Sequence, residues 1–152
     1  MRLKFTLYIV LLLSLFCAMP FAIACGDEVV EVTEANKKLV LDFFRIVFQA
    51  ENADAAKDYL SENYIQHNPK VPGGKDGFIN FFKAKWKEPK PVMAELKEQP
   101  ESVIAEGDLV MVMRKLKKED PSDSSKTYDS FWFDVFRVKN GKLVEHWDNA
   151  TK

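Results

Sequence analysis

Asp134, His146 and Asp148 stand inside the apolar stretch Phe131 to Asp148, and His67 closes the run Tyr64-Ile-Gln-His just before Asn68-Pro69. Titratable groups set among valines, phenylalanines and tryptophans cost free energy unless they are paired, protonated or turned toward a cavity. Enclosed carboxyl and imidazole groups are also the ones that take a proton from the carbon next to a carbonyl and return it elsewhere. One carboxyl group can do both if exclusion of water raises its pKa toward neutrality. Each unit of that rise is about 1.4 kcal/mol, so real burial is required. Asp148 and Asp134 are the candidate acid/base groups, with His67 and His146 as alternatives or partners. Trp132, Trp147, Tyr64, Phe82 and Trp86 would supply an apolar wall. With two histidines and no thiol pair in the mature chain, no metal is expected. Gly73-Gly74-Lys75 lacks the spacing of a phosphate loop, and no cofactor is expected.

The strands that must carry these groups flank Asn140-Gly141, a pair suited to a two-residue type I′ turn because both positions tolerate positive φ. Uninterrupted pairing across that turn sets Asp134 opposite Trp147 and Phe133 opposite Asp148. Asp134, Glu145 and Trp147 then share one side of the hairpin, and His146 and Asp148 the other. All of them reach one cavity only if a bulge intervenes. Asp134 also has a structural alternative, an ion pair with Arg137 or Lys142. His67 has one too, a hydrogen bond to the backbone of the neighbouring loop.

Upstream, Thr33 is a plausible N-cap, and Leu39, Val40, Phe43, Phe44, Val47 and Phe48 recur at helical period. Asn52 can cap a second short helix, Ala53 to Leu60. Tyr64 to His67 is a short strand, and Asn68 to Gly77, with two prolines and three glycines, is a loop. A third helix over about Asp76 to Lys87 lines up Phe78, Ile79, Phe82 and Trp86. After Pro91 the period becomes two: Val92, Ala94 and Leu96 alternate with polar residues. Ser102 to Ala105 leads through the turn Glu106-Gly107-Asp108 into Leu109 to Leu116. Lys118 to Lys126 is polar, contains Pro121 and reads as a loose connection before Thr127 to Lys139. Helices first and antiparallel hairpins afterwards is an α+β arrangement.

The N-terminus reads as an export signal over residues 1–24. Arg2 and Lys4 are followed by an apolar core, Leu7 to Phe16, then Pro20 and Ala22-Ile-Ala24 as a peptidase site. Ala22-Ile-Ala-Cys25 resembles a lipobox, which would make Cys25 the lipidated first residue of a periplasmic or surface lipoprotein. An ordinary secreted protein is the alternative, and a lipid on Cys25 would be the only membrane contact. Residues 25–32 read as a tether and 33–152 as one domain. Loss of Arg2 and Lys4 with the leader takes the formal net charge from −1 to −3, a balance that argues against nucleic acid as a partner. Cys17 leaves with the leader, so no internal disulfide is expected.

Four motifs occur in order: Tyr64-Ile-Gln-His-Asn-Pro69, the glycine-rich loop with Lys75-Asp-Gly-Phe-Ile, Ala105-Glu-Gly-Asp108, and Phe136-Arg-x-x-x-Gly-Lys-x-x-Glu-His-Trp-Asp148. Together they resemble the SnoaL-like polyketide cyclase branch of the nuclear transport factor 2-like superfamily, over roughly Asn36 to Asp148. The resemblance implies a cone of curved antiparallel sheet wrapped on three N-terminal helices around a hydrophobic cavity, with dimers packed through the sheets. It implies cofactor-free aldol cyclisation with the aspartate near the end of the last strand, Asp148, as acid/base, and a pocket residue at His67. Two readings stay open. One is a small exported enzyme working on an apolar carbonyl compound; the other is a pocket that binds an apolar ligand without turnover.

Overall fold

The computed structural model describes residues 24–152, with side chains from Glu28 onward; residues 1–23 of the expected leader and the Cys25 side chain lie outside that range. Helix α1 (Ala24–Phe43) passes without a break into a π-helical turn, Phe44–Gln49. The helical stripe is buried as its spacing requires, at Val40, Phe43, Phe44 and Val47. The expected tether is helical instead. No proline interrupts the chain between Cys25 and Phe43, and the Thr33 hydroxyl bonds back to the Val30 carbonyl rather than capping a new helix. Val29, Val30 and Val32 stay exposed on that extension. A short 3₁₀ helix, Ala53–Asp58, follows, with the Asn52 side chain accepting from the Ala55 N–H at 3.2 Å.

Strand β1 (Leu60–Gln66) and helix α2 (Gly74–Lys85) come next, then β2 (Ser102–Glu106), β3 (Leu109–Asp120), β4 (Asp123–Lys139) and β5 (Lys142–Asp148). The sheet order is β1-β5-β4-β3-β2; β2 to β5 are antiparallel neighbours, and β1 joins β5 in parallel. The inner face of this curved sheet presents Val110, Val112, Phe136, Val138 and Leu143 to Phe43, Phe44, Val47 and Phe78. Phe43 meets Phe136 edge-on at 5.7 Å and lies 5.9 Å from Phe78. Each such side chain contributes about 1.5–3 kcal/mol by leaving water, so this filled end fixes the sheet against the helices.

Two connections differ from the sequence reading. Val92 to Leu96 forms no strand. Its alternation is real, but the edge of the sheet is taken by β2, and the segment is tied to the π-helical turn by side chains of Arg45 and Gln49. Lys118 to Lys126 is no loose connection either. The β3–β4 ladder runs on to Glu119↔Thr127, and the tip is held by Asp120 and Asp123 carboxylates accepting from Ser122 and Ser125.

The Asn-Gly turn forms with positive φ at both residues, 51° and 66°. Pairing begins on the expected register, Lys139↔Lys142 and Val138↔Leu143, and then slips by one: Arg137↔Glu145, Phe136↔His146, Val135↔Trp147, Asp134↔Asp148. Val144 is the extra residue. A single added residue in one strand reverses the face of everything beyond it, because side chains alternate with period two. His146 and Asp148 therefore join Asp134 on the inner face, while Glu145 and Trp147 turn outward beside Arg137.

Candidate functional site

Past the filled end of the cone, Asp134, His146 and Asp148 each place one ligand-type atom within 4.8 Å of the others. Asp134 and His146 are each 6% exposed, and Asp148 is half-buried at the rim. A buried carboxylate needs compensation, and Asp134 has it. Its Oδ2 accepts from Arg114 Nε at 3.1 Å and Nη2 at 2.8 Å. Its Oδ1 accepts from Trp132 Nε1 at 3.1 Å and lies 3.2 Å from His146 Nε2. Arg114 comes from β3, where Val110, Val112 and Arg114 follow each other along the inner register, and it pairs in the ladder with Trp132. Burial pushes the Asp134 carboxyl upward, but the hydrogen bond from His146 and the charge of Arg114 outweigh it and hold the group below the usual carboxylate range. Asp134 is thus an ionised anchor rather than the group that carries a proton through a reaction.

The other side of the His146 ring is set by β1. Its Nδ1 lies 2.8 Å from Gln66 Oε1, which also accepts the Asn68 backbone N–H at 2.9 Å. That backbone donor fixes the orientation of the amide, leaving Gln66 Nε2 to donate to the Tyr64 hydroxyl at 3.3 Å. An oxygen thus lies against each ring nitrogen, and the two contacts hold the ring in place. Asp148 is oriented by two donors of its own: Asn68 Nδ2 to Oδ2 at 2.6 Å, and the Ala150 N–H to Oδ1 at 3.0 Å. The result is a half-buried, oriented carboxylate beside a buried imidazole held on both sides. Burial, with the charges of Asp134 and Asp148 added to it, pushes the Tyr64 phenol far above its ordinary range, so Tyr64 stays protonated.

His67 does not join Asp148. It lies one residue past Gln66, and alternation along β1 turns it to the outer face. There its Nε2 is 2.9 Å from Glu145 Oε1, and its ring stacks on Trp147 at 5.1 Å and 4°. Its partner is a side chain on β5 and not the loop backbone. Arg137 completes that outer row through Glu145 and Asp108, so it is not the partner of Asp134, and Trp147 is not a pocket wall. The hydrogen bond from His67, then that from Arg137, hold Glu145 below the usual carboxylate range. Phe82 and Trp86 stack on each other at 4.6 Å and meet Phe48 edge-on, as an aromatic cluster packed against the core.

The acidic pair does not line the nearest cavity. That cavity, about 320 Å³, is entered by Arg114 and not by Asp134, His146 or Asp148, because Arg114 and Trp132 cover the buried carboxylate. The three convergent atoms could in principle hold a metal, yet both oxygens of Asp134 and both nitrogens of His146 are already engaged, and Arg114 supplies the positive charge a cation would bring. Arg114, Gln66 and Asn68 are the residues that the sequence reading missed. Each left a signal: an arginine on the inner register of an apolar strand, and two amides flanking His67 at the parity of Tyr64.

A family model of the SnoaL-like domain matches residues 40–146. The chain belongs to the SnoaL-like family. No curated protein matches the sequence. Among solved structures, a candidate SnoaL-like polyketide cyclase from a Jannaschia species is 19% identical with a TM-score of 0.54, over 78% of this chain and 88% of that one. An LEH-like epoxide hydrolase of Mycobacterium tuberculosis is 15% identical with a TM-score of 0.55, over 77% and 83%. A de novo designed protein with a curved β-sheet is as similar, 18% identical with a TM-score of 0.53, over 78% and 86%. At these identities the likeness establishes the SnoaL-like cone alone, and the chemistry has to be read from the side chains.

The depressed carboxyl of Asp134 makes a stability prediction with a definite sign. Its contribution is present above the unfolded carboxyl value and fades as pH falls toward the folded one. Asp134→Asn should therefore be less stable than the parent by about 3 kcal/mol at pH 7, since Arg114 and His146 lose their partner. The deficit should shrink below about pH 4, where the unfolded carboxyl titrates. Urea unfolding from pH 7 to pH 2.5 checks this; a deficit that stays constant with pH would contradict the assignment.

Proposed function

We propose that this SnoaL-like protein is an exported, cofactor-independent enzyme of the cyclase or isomerase type that acts on a small, largely apolar carbonyl compound. The observation that carries the reading is the orientation of Asp148: a half-buried carboxylate held by two donors, beside an imidazole whose ring is fixed by Gln66 and Asp134. In this scheme Asp148 takes the proton from the carbon next to the carbonyl, the electron pair moves onto the carbonyl oxygen, and the positive charge of Arg114 steadies the enolate. The proton then returns from Asp148 to a second carbon in an isomerisation, or to the new alkoxide after ring closure. The polyketide cyclase and epoxide hydrolase among the similar folds are compatible with a pocket that does acid/base work without a cofactor.

The cavity favours a second reading, a binding protein without turnover, since Arg114 lines it and Asp148 does not. Deuterium exchange separates the two. In heavy water, a panel of cyclic ketones and β-keto acids followed by NMR should lose α-protons with the parent protein. Asp148→Asn should slow that exchange by about 10²–10⁴-fold. Exchange in no compound of the panel, or exchange indifferent to Asp148→Asn, removes the enzymatic reading.

Export rests on the leader motif, and we assign Cys25 as a lipid attachment site and the outer sheet face as a homodimer contact. Ile104, Phe131 and Phe133 are 53%, 43% and 37% exposed on that face, which argues for a cover. Globomycin should stall processing of the precursor in its host, and Phe133→Glu should turn a dimer into a monomer by light scattering. Normal processing under the drug, or a parent protein already monomeric, counts against these two assignments respectively.

A further inference from the structure

The π-helical turn Phe44–Gln49 has no role in the acid/base cluster, yet it forms a wall of the cavity that Arg114 enters. π-turns inside helices have poorer hydrogen bonding than α-helix and recur at functional sites. Two residues past it, Glu51 sits at φ 49°, in the left-handed region that a glutamate seldom adopts, and it lines the same cavity. The facing wall is the coil carrying Leu96 to Pro100. It is strapped to the π-turn by polar bonds: Arg45 Nη1 to the Met93 carbonyl at 2.8 Å, Gln49 Nε2 to the Glu95 carbonyl at 3.0 Å, and the Lys97 N–H to Gln49 Oε1 at 2.7 Å. Val112 and Arg114 close the side toward the sheet.

The polar groups in this cavity are unequal. Glu51 is tied to Lys90, and Lys97 and Glu98 stand side by side on the coil. Arg114 lies over the Phe44 ring, its Cζ 5.1 Å from the centroid, and spends Nε and Nη2 on Asp134. Nη1 lies outside that pair. The carboxylate it faces is shared with His146 and Trp132, so the guanidinium is incompletely neutralised and suits a second oxyanion. A volume of about 320 Å³ is at the small end of ligand pockets, enough for one or two rings and too small for a four-ring polyketide.

We propose that this cavity binds a one- or two-ring compound bearing an anionic oxygen group, a carboxylate or an enolate, with its rings against Phe44, Phe48 and Leu96 and its oxygens on Nη1 of Arg114. Asp148 does not line this cavity, so the binding is independent of the enzymatic reading above and needs no turnover. Calorimetric titration with 1-naphthoate and with neutral 1-naphthamide tests it. The parent protein should bind the carboxylate at least about tenfold tighter, the worth of one charge-assisted hydrogen bond. Leu96→Trp, which fills the cavity from the coil, should abolish binding of both. Arg114→Lys keeps a cation for Asp134 but loses the planar fork, and should cut the preference to less than about threefold. Undetectable 1-naphthoate binding, equal affinity for acid and amide, or binding unmoved by Leu96→Trp overturns the proposal. Asp148→Asn should bind 1-naphthoate as the parent does. Binding without α-proton exchange therefore removes the enzymatic reading alone, and exchange without 1-naphthoate binding removes this proposal alone.

Discussion

A carboxylate that is 6% exposed between a guanidinium and an imidazole is the constraint around which the open end of this cone is organised. Bringing an ion out of water costs several kcal/mol even after relaxation, and only well-placed charges and donors repay it. Asp134 has four contacts from three side chains, two of them from Arg114, on one pair of oxygens. Those contacts fix the rotamers of Arg114, Trp132 and His146 together. Through His146 they reach Gln66, and through the Asn68 backbone and side chain they reach Asp148. The Asp148 carboxylate is thus linked, through His146, Gln66 and Asn68, to the buried charge of Asp134.

The arrangement exists because of one extra residue. Without Val144 the last hairpin would carry His146 and Asp148 on the outer face and bring Glu145 and Trp147 inside. The bulge separates two rows of charge on one sheet. The inner row, Arg114–Asp134–His146, is buried and serves the site. The outer row, Asp108–Arg137–Glu145–His67, lies over the opposite surface and is at least partly hydrated. The parallel pairing of β1 with β5 then aligns Gln66 with His146 in the ladder, which gives the imidazole its second partner.

Much of this was legible before any coordinates. The helical stripe from Leu39 to Phe48, the Asn52 cap, the Asn140-Gly141 turn and the four ordered motifs led to the SnoaL-like cone, because each rests on local chemistry. The candidate site was half legible. Asp134, His146 and Asp148 stood out as charges in apolar strands, but whether they met depended on a bulge, and no residue type marks Val144 as the added one. His67 was misplaced by one step of parity: Tyr64 and Gln66 face inward along β1, and His67, just past its end, turns outward to Glu145 and Trp147. Arg114 passed unnoticed beside Lys115, Lys117 and Lys118, where a basic run reads as a solvated face. Val92 to Leu96 showed that alternation alone does not make a strand when no partner edge is free.

The proposed catalysis and the proposed binding thus fall on two neighbouring features joined by Arg114, the cluster around Asp148 and a small cavity lined by the π-turn. The account stands on the coupling between Arg114 and Asp134, so a double-mutant cycle of Arg114→Met and Asp134→Asn in urea unfolding at pH 7 tests it most directly. It predicts a coupling of at least about 2 kcal/mol, with the double variant more stable than the sum of the single losses allows. Single losses that add to within about 0.5 kcal/mol would show the two groups to be independent and would contradict the account.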